Sequence, residues 1–488
     1  MQDEATSTRR AKTTLRLPAW GVAILYLAVC LGPLILAMTR DVAPTSGWAL
    51  AAAGLGILGT AGIAVQFVTS GRFEIVSGNL NIDRVMAFHK IAAWWVLLAL
   101  LVHPVIYVIP TLRIDPAIGL ERLIAYHTLP HYRSGVVALS AVVLLVIGSA
   151  LRARLGLRYE AWRAAHILLA IVALGAGLHH AVTVGRFSAE GPLEDYWWAL
   201  GAAAIGIVAI LYGLRWARLH LRPWRLASVT KVADRMWELD IQPAGGTPPL
   251  RYLAGQFVWL TEGARRFPLF DHPFSIADSP SRHGLRLVVK EAGDFTNRIG
   301  TLPLDTPIGI DGPYGSFTLE EHGEDAILLI AGGVGIAPIL GLLRDLVAQK
   351  HRRPVRLIYA AGSPENLAFV EEIGAAGSVL DLETLLITED EAPGWQGDTG
   401  RVDRDRLLEM LHGLDLERTT ALICGPGAMV TAVADTLVDL GLPMDRVMYE
   451  RFDYSEGASR LDRRLTRRFM GFGLALLAGL AVFVALMA

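Results

Sequence analysis

The chain has 488 residues, of which 53% are hydrophobic and 19% are charged, and its formal net charge at pH 7 is −2. This composition is too apolar for an ordinary soluble protein, so a membrane part joined to a soluble part fits best. The charge balance gives no indication of a nucleic-acid partner. Cys30 and Cys424 are the only cysteines, which excludes a disulfide framework, a Cys-ligated iron–sulfur cluster and a four-cysteine zinc site.

Several apolar stretches are long enough to cross about 30 Å of hydrocarbon, which takes roughly 20 helical residues. They lie near residues 18–39, 47–69, 85–109, 134–151, 164–184, 194–214 and 469–488. The first follows a basic N-terminal segment, but its apolar run is longer than that of a signal peptide and no A-x-A site closes it, so we interpret it as a retained helix. The sequence thus predicts a bundle of six transmembrane helices, with an extra transmembrane helix at the C-terminal end.

Basic residues are concentrated on alternate flanks of these spans, which predicts the orientation by the positive-inside rule. They are Arg9, Arg10, Lys12, Arg16, Arg72, Arg84, Lys90, Arg152, Arg154, Arg158, Arg163, Arg215, Arg218, Arg222 and Arg225. We therefore expect these flanks, and the soluble residues 216–468, on the cytoplasmic side of the cell inner membrane.

Two of the predicted spans carry histidines in an otherwise apolar setting. His89 and His103 lie fourteen residues apart in the third span, and the fifth span has His166 followed by His179 and His180. A fourteen-residue step along a helix returns to within about 40° of the same face and rises about 21 Å. Titratable side chains at membrane depth are costly, so two such sets indicate a function rather than packing.

Neutral imidazole suits haem iron, zinc or copper. Zinc needs ligands that converge on one point, whereas these histidines are spread about 20 Å along each helix. Two b-type haems match the spacing, one between His89 and His166 and the other between His103 and a histidine at 179 or 180. Helical phase favours His180 over His179, because a thirteen-residue step lands about 140° from the starting face.

The soluble part changes character along its length. Residues 224–319 alternate apolar and polar positions between turn residues, which is typical of an antiparallel sheet or barrel. From Asp325 onward, short apolar strands alternate with helical stretches, which predicts a parallel α/β sheet with crossover helices.

The stretch AGGVGIAP, residues 331–338, follows a strand and opens a helix, with Pro338 in its first turn. Gly332, Gly333 and Gly335 can let the backbone approach a pyrophosphate, whose charge a helix N-terminus favours. A simple tight strand–helix connection is the alternative explanation for this glycine-rich turn.

With His89, His103 and the motif YEAWRAAH that ends at His166, the chain resembles the transmembrane domain of the ferric reductase and NADPH oxidase superfamily. In that family the second helix usually carries the thirteen-residue step, so the resemblance points to His179 as the outer ligand, with His180 as the rival. It also implies that Arg163, in the lead-in that includes Tyr159 and Trp162, neutralises a haem propionate.

The soluble motifs resemble the same family. HPFSI, residues 272–276, is similar to its flavin-binding strand, and KEAGDFTNRIG to the segment that receives the FAD pyrophosphate. The resemblance implies FAD contacts at His272, Pro273, Phe274, Ser275, Gly293, Phe295 and Thr296. It places the Ser275 hydroxyl near flavin N5, where hydride arrives.

CGPGAM and YERFDY resemble the nicotinamide end of the family's last domain. The resemblance implies that Cys424, Gly425 and Pro426 lie by the nicotinamide, and that the Phe452 ring covers the flavin until the nicotinamide displaces it. The choice between NADH and NADPH stays open. AAGSPENLAF, after the second strand, contains no base for a 2′-phosphate, and Arg401 is a possible substitute.

The resulting fold class is multi-domain, with a transmembrane haem domain (1–218), an antiparallel β-barrel FAD domain (219–322), a Rossmann-like α/β NAD(P)H domain (323–456) and a basic linker with a C-terminal transmembrane helix (457–488). The expected function is electron transfer from cytoplasmic NAD(P)H through FAD and two haems to an outer acceptor. An electron-donor subunit for an extracytoplasmic protein is the alternative. The paired histidines argue against a third possibility, a channel or transporter.

The acceptor is expected to be ferric iron or dioxygen, which would give superoxide. In superoxide-making relatives another histidine follows the outer ligand by one turn, and Tyr107 stands there in this chain, which makes electron export a firmer expectation than oxygen reduction. His127 and His131, in an outer-side loop, are either contacts for a ferric complex or ordinary solvated histidines. The last helix is either a lipid anchor or an oligomerisation helix.

Overall fold

The computed structural model describes residues 18–43, 45–69, 82–152, 154–263, 267–319, 325–452 and 459–488. They form two compact units, a helical unit (Thr14–Leu214 with Leu465–Ala488) and a sheet unit (Arg215–Arg464). The basic residues Arg9, Arg10, Lys12, Arg16 and Arg72 lie outside the described residues, as do the predicted domain boundaries at 322/323 and 456/457.

The helical unit is built from long apolar helices. In chain order they are α1 (Ala19–Met38), α2 (Gly47–Gln66), α3 (Ile82–Ile114), α4 (Pro116–Thr128), α5 (Arg133–Ala150), α6 (Tyr159–Val184) and α7 (Pro192–Val208). Together with the final helix of the chain, all of these except α4 are long and apolar enough to cross a membrane, which gives seven such helices among the described residues. The predicted helical bundle and the extra C-terminal helix are confirmed.

Helix α2 packs against α3 through a stripe of glycines. A Cβ atom at Gly59 would lie 2.5 Å from a methyl carbon of Leu100, and one at Gly62 would lie 2.5 Å from a methyl carbon of Val96. A larger residue at either position would force these side chains to move, so glycine allows the two helices to approach closely. This contact sets α2 beside the face of α3 that carries His103.

The segment predicted as an outer-side loop contains helix α4. Pro116 occupies its first turn, and the Asp115 carboxylate caps it by accepting hydrogen bonds from the N–H groups of Ala117 (2.9 Å) and Ile118 (3.2 Å). The helix is short and mixes exposed apolar residues with polar ones, so it lacks the long apolar run that revealed the transmembrane helices.

The sheet unit starts with helix α8 (Arg215–Leu221) and a six-stranded antiparallel sheet. The strands are β1 (Trp224–Ala233), β2 (Met236–Pro243), β3 (Phe257–Glu262), β4 (His272–Ser275), β5 (Leu285–Lys290) and β6 (Pro307–Tyr314). Their order is β4-β3-β6-β1-β2-β5, and a bridge between Ile276 and Leu287 joins the two edges. The predicted antiparallel barrel is confirmed.

A six-stranded parallel sheet follows, with the order β10-β9-β8-β7-β11-β12. Its elements are β7 (Ala326–Gly332), α9 (Ile336–Gln349), β8 (Val355–Ala361), α10 (Val370–Ala376), β9 (Leu382–Thr388), β10 (Asp398–Thr399), α11 (Arg404–Leu411), β11 (Thr419–Gly425), α12 (Gly427–Asp439) and β12 (Val447–Arg451). The inner strand β11 is buried over its whole length, as expected of a parallel strand covered on both faces. This confirms the predicted α/β domain.

The last helix, α13 (Arg460–Met487), belongs to both units, since its residues up to Arg464 are grouped with the sheet unit and those from Leu465 with the helical unit. In its first turn the Asp462 carboxylate accepts hydrogen bonds from Tyr449 Oη (2.8 Å) and Arg451 Nη2 (2.7 Å). Further along, Phe483 is buried in the core of the helical unit.

Candidate functional site

His89 on α3 and His166 on α6 face each other inside the helical unit, with 6.4 Å between their ring centres. Each ring uses Nδ1 for a hydrogen bond to a hydroxyl oxygen, His89 with Thr69 Oγ1 (3.2 Å) and His166 with Ser149 Oγ (3.1 Å). Nε2 is therefore the nitrogen left to coordinate a metal. Two metal–imidazole bonds of about 2 Å each would separate two ring centres by roughly 6 Å, which agrees with this pair.

His103 lies farther along α3, against a backbone carbonyl of α2. Its Nδ1 atom is 2.6 Å from the oxygen of Ala52. A carbonyl oxygen only accepts hydrogen bonds, so the proton of the neutral ring is on Nδ1 and the lone pair is on Nε2. Gly56 makes this approach possible, because a Cβ there would lie 2.9 Å from His103 Cε1.

A cavity of about 330 Å³ opens beside His103, and His180 of α6 also lines it. The ring of His180 lies against Gly135 of α5, where an added Cβ would be 2.8 Å from Nδ1. That Nδ1 atom is buried and has no hydrogen-bond partner among the described residues. His179 is exposed on another face of α6 and is not among the cavity residues. The structure therefore brings His180, and not His179, together with His103.

The histidines thus form two pairs at two levels of the helical unit. Within the described part of the chain, no group of three or more His, Cys, Asp or Glu side chains is arranged to hold a metal ion. Two neutral imidazoles at each level would suffice to hold a haem iron, since the porphyrin supplies the other ligands.

Aromatic and basic side chains surround the cavity beyond His103. The ring of Tyr107 contacts that of His103 edge-on at 5.4 Å, and Tyr107, Arg122, Tyr126 and Arg186 all line the cavity. Arg122 Nε donates to Tyr126 Oη within α4 at 3.0 Å, and Arg122 Nη1 donates to Thr111 Oγ1 at 3.2 Å, which ties α4 to α3. His127 lines the same space, whereas the ring of His131 packs on Tyr132 at 5.2 Å.

The lead-in to His166 surrounds that histidine. The Trp162 ring lies 5.3 Å from the His166 ring, and its Nε1 donates to Ser149 Oγ at 3.3 Å. Arg163 is buried, with its guanidinium carbon 5.9 Å from the centre of the Tyr159 ring.

In the sheet unit, the predicted flavin strand is the edge strand β4, which pairs with β3 so that Ser275 lies opposite Phe257. Ser275 is buried. The His272 ring stacks on that of Phe295 with 4.3 Å between centres and 4° between planes, and Phe274 lies 6.1 Å from the same ring. The two segments predicted to hold FAD are therefore in contact.

The predicted pyrophosphate segment turns into a short 3-10 helix, Thr296–Thr301. The Thr296 hydroxyl accepts hydrogen bonds from the N–H groups of Ala292 (2.8 Å) and Gly293 (2.9 Å). The predicted helix start is thus a short 3-10 helix. In this structure the N–H group of Gly293, which the sequence predicted as a pyrophosphate donor, donates to the Thr296 hydroxyl.

The nucleotide motif lies at the carboxyl end of β7, where Gly333 has a φ of +54° that glycine adopts without strain. A Cβ at Gly335 would lie 2.0 Å from the carbonyl oxygen of Cys424, so the turn passes directly against the end of β11. A Cβ at Gly332 would lie 2.7 Å from the sulfur of Met429. Pro338 is buried in the first turn of α9, as predicted.

The second nicotinamide motif ends β11. Cys424 is completely buried and pairs with Ala331 on one side and Glu450 on the other. Gly425 and Pro426 follow at the strand end and lead into α12. Phe452 comes directly after β12 with 47% of its surface exposed, so its ring is accessible.

Arg344 on α9 connects the barrel to the parallel sheet, and the sequence patterns did not reveal it. Its Nη1 and Nη2 each donate to Glu238 Oε1 of β2 at 3.1 Å, its Nε donates to Glu372 Oε1 of α10 at 2.6 Å, and Nη1 also donates to the carbonyl oxygen of Ala277. Burial alone would raise the pKa of the Glu372 carboxyl, but the hydrogen bonds and charge of Arg344 outweigh burial and hold that pKa below its ordinary value.

Sequence reasoning also missed the partners of the histidines. They are Ala52, Gly56, Thr69, Gly135 and Ser149. A small or hydroxyl residue inside an apolar helix is too common to be recognised alone, and only its position opposite a histidine on another helix distinguishes it.

Three family models match the chain. The model "Ferric reductase like transmembrane component" matches residues 55–177, the "FAD-binding domain" model residues 224–318 and the "Oxidoreductase NAD-binding domain" model residues 329–435. The chain belongs to the ferric reductase and NADPH oxidase superfamily. Its three matched models comprise a membrane component, an FAD-binding domain and an NAD-binding domain.

This superfamily member is also similar to curated proteins. Flavohemoprotein A of Dictyostelium discoideum is 23% identical over 227 residues, 43% of this chain and 55% of that protein. The reductase component of propane 2-monooxygenase of Mycolicibacterium smegmatis is 31% identical over 186 residues, 37% of this chain and 53% of that protein. The sulfhydrogenase 2 subunit gamma of Pyrococcus furiosus is 32% identical over 203 residues, 40% of this chain and 69% of that protein. The chain spans little more than half the length of the first two relatives.

Proposed function

We propose that the protein moves electrons across the cytoplasmic membrane, from NAD(P)H through FAD and two b-type haems to ferric iron or dioxygen on the outer side. With dioxygen the product would be superoxide. The observation that carries this proposal is the pairing of His89 with His166 and of His103 with His180 at two levels of one helical bundle.

The residues present fit two haems. His89 and His166, with 6.4 Å between their ring centres and Nδ1 occupied by hydroxyl contacts, would hold one haem iron through their Nε2 atoms. At the second level, the tautomer of His103 leaves its Nε2 unprotonated, and His180 has a buried nitrogen without a hydrogen-bond partner among the described residues. We therefore assign His180 as the outer ligand in preference to His179.

Bound FAD accepts a hydride and releases electrons singly, and each haem carries one electron at a time. The chain's own residues bind and orient these groups. The turn at Gly333 and Gly335 is proposed to receive the nucleotide pyrophosphate at the start of α9. In this arrangement Ser275 on β4 would contact the flavin, Cys424 would lie by the nicotinamide, and Phe452 would shield the flavin when no nucleotide is bound.

The direction of transfer rests on the basic flanks. Arg215, Arg218, Arg222 and Arg225 follow the sixth span, and Arg152, Arg154, Arg158 and Arg163 lie between spans four and five. The positive-inside rule puts these flanks, and with them the nucleotide and flavin domains, in the cytoplasm. His89 then lies near the cytoplasm and His103 near the outside.

The acceptor is proposed to approach the second level of histidines from the side of α4. Arg122, Arg186 and Tyr107 line the cavity there, and an apolar shell elsewhere keeps water away from the histidine pairs. The positive charges of Arg122 and Arg186 favour an anionic ferric chelate.

The test uses the full chain, loaded with FAD and haem, in vesicles that contain a trapped ferric chelate. NADH or NADPH added outside should reduce the trapped chelate through molecules whose nucleotide domain faces outward. In a His103→Ala variant, nucleotide should still reduce the haem near His89, but the chelate should stay oxidised. In His179→Ala, both that haem and the chelate should be reduced.

Continued reduction of the trapped chelate by His103→Ala would contradict the proposed path. A wild-type protein whose haems are reduced by nucleotide, but which reduces neither a chelate nor dioxygen, would favour an extracytoplasmic protein as the acceptor.

A further inference from the structure

The choice between NADH and NADPH depends on how a protein meets the 2′ position of the adenosine ribose, where NADPH carries a phosphate. In open α/β sheets this position lies beyond the carboxyl end of the second strand, where a carboxylate accepts from the 2′-hydroxyl of NADH and an arginine binds the phosphate of NADPH. In the nucleotide domain that strand is β8, which ends at Ala361.

The segment after β8 offers a hydroxyl and a carboxylate at this place. Asn366 Nδ2 donates to Ser363 Oγ at 2.7 Å, and the Ser363 hydroxyl contacts the carboxylate of Glu365. The hydrogen bond from Ser363 holds the pKa of the Glu365 carboxyl below its ordinary value, so this exposed group is charged at neutral pH. The carbonyl oxygen of Glu365 accepts from the N–H of Asp234 at 3.0 Å, which fixes the segment.

Two more carboxylates lie at the same strand end. The N–H of Glu389 donates to the carbonyl oxygen of Ala361, and the N–H of Asp390 donates to that of Gly362, both at 3.0 Å. The segment after β9 is thus attached to the segment after β8, and it adds negative charge there.

Two basic side chains of the sheet unit lie close to acidic ones. Arg401 Nε lies 3.5 Å from Glu389 Oε1, and Lys231 Nζ lies 4.0 Å from a carboxylate oxygen of Asp234. Arg401 is the residue that the sequence suggested for a 2′-phosphate. Because Arg401 pairs with Glu389, the 2′-phosphate would approach a carboxylate as well as the arginine.

We propose that this protein takes NADH in preference to NADPH, because Ser363 and Glu365 meet the ribose and Glu389 holds Arg401. A 2′-phosphate carries nearly two negative charges and would meet the carboxylates of Glu365, Glu389 and Asp390, while the nearest base that the sequence suggested, Arg401, is paired with Glu389. The inference rests on the proposed function, since it concerns the nucleotide that feeds the same electron path.

The test is the anaerobic reduction of bound flavin in the full chain by NADH and by NADPH. Stopped-flow absorbance monitors the flavin over a range of nucleotide concentrations. The wild-type protein should show a ratio of flavin reduction rate constant to nucleotide Kd that is at least about tenfold higher for NADH than for NADPH, as expected for repulsion between nearby like charges. Glu365→Arg should lower this preference by about tenfold or more, mainly through a smaller Kd for NADPH.

Two further variants separate a selective effect from a general one. Glu389→Gln should also favour NADPH, because it releases Arg401. Glu383→Gln removes the same charge from the opposite end of β9, where Glu383 pairs with Arg356 at 2.9 Å, and it should leave the ratio unchanged.

A wild-type protein that uses NADPH as well as or better than NADH would overturn the inference while leaving the proposed function intact. A Glu365→Arg variant that slows both nucleotides equally would also overturn it. Absence of flavin reduction by either nucleotide in FAD-loaded protein would instead overturn the proposed function.

Discussion

The Nδ1 atom of His103 lies 2.6 Å from the carbonyl oxygen of Ala52, on the neighbouring transmembrane helix. Since the carbonyl only accepts, this contact determines which nitrogen of the ring carries the proton and which carries the lone pair. A backbone group cannot be changed by a point mutation, but Gly56, which admits the ring to this carbonyl, can be.

Gly56→Ala should displace the His103 ring, because the new Cβ would lie 2.9 Å from Cε1 and 3.0 Å from Nδ1. We expect the outer haem to be lost or spectrally altered while the inner haem is kept. Haem content and the reduced-minus-oxidised spectrum of the purified variant measure this. Gly175→Ala on α6 is the matched control, since no heavy atom lies within 4 Å of its added Cβ. Equal spectra for the two variants would contradict the expectation.

His180→Ala should remove the outer haem, and His179→Ala should keep both haems. The reason is that His180 lines the cavity with His103, whereas His179 is exposed on another face of α6. The measurement is haem per protein after purification of each variant. Loss of haem from His179→Ala alone would show that α6 tightens locally, as the family spacing implies, and would reverse our ligand assignment.

Thr69→Val should weaken the inner haem, because it removes the oxygen that lies 3.2 Å from His89 Nδ1 and changes shape very little. Loss of such a partner typically lowers metal affinity by about 10–100-fold. We expect a shifted midpoint potential for one haem in a spectroscopic redox titration. Thr183→Val, which loses only a bond to the carbonyl oxygen of His179 at 2.6 Å, serves as the control and should leave that haem unchanged.

Glu372→Gln should destabilise the sheet unit by about 1 kcal/mol at neutral pH, because it removes the charge of a partly exposed partner of Arg344. The folded-state pKa of Glu372 is lowered, so its contribution is complete above the ordinary glutamate value of about 4.3 and disappears as the pH falls through the lower folded value. The temperature of flavin release should therefore differ between variant and wild type at pH 7, and the two should converge in acid. If the difference in flavin-release temperature between variant and wild type grew below pH 4, the predicted loss of the Glu372 contribution in acid would be wrong.

Much of the architecture could be predicted because it depends on local patterns. The seven long helices were visible as apolar runs, and His89, His103 and His166 were visible as polar residues within them. Helix α4 was missed because its sequence has no long apolar run. Helical phase favoured His180, whereas the spacing usual in the family favoured His179, and only the position of α6 beside α3 distinguishes them in space.

Contacts between distant segments could not be read from the sequence. Arg344 meets Glu238 and Glu372 through the packing of α9 between the two sheets, and no periodicity records that arrangement. Thr69 and Ser149 look like ordinary helical hydroxyl residues until the fold sets each one beside a histidine nitrogen. These supporting residues depend on tertiary packing, which motif spacing does not report.

The most direct test of the central claim is the haem content of the purified full chain, measured by its dithionite-reduced minus oxidised spectrum and by the ratio of haem to protein. The account predicts a b-type spectrum with two haems per wild-type chain, and one haem per chain when His103 is replaced by alanine. A wild-type chain with no b-type signal after reduction, or with a single haem that the His103→Ala variant retains, would contradict it.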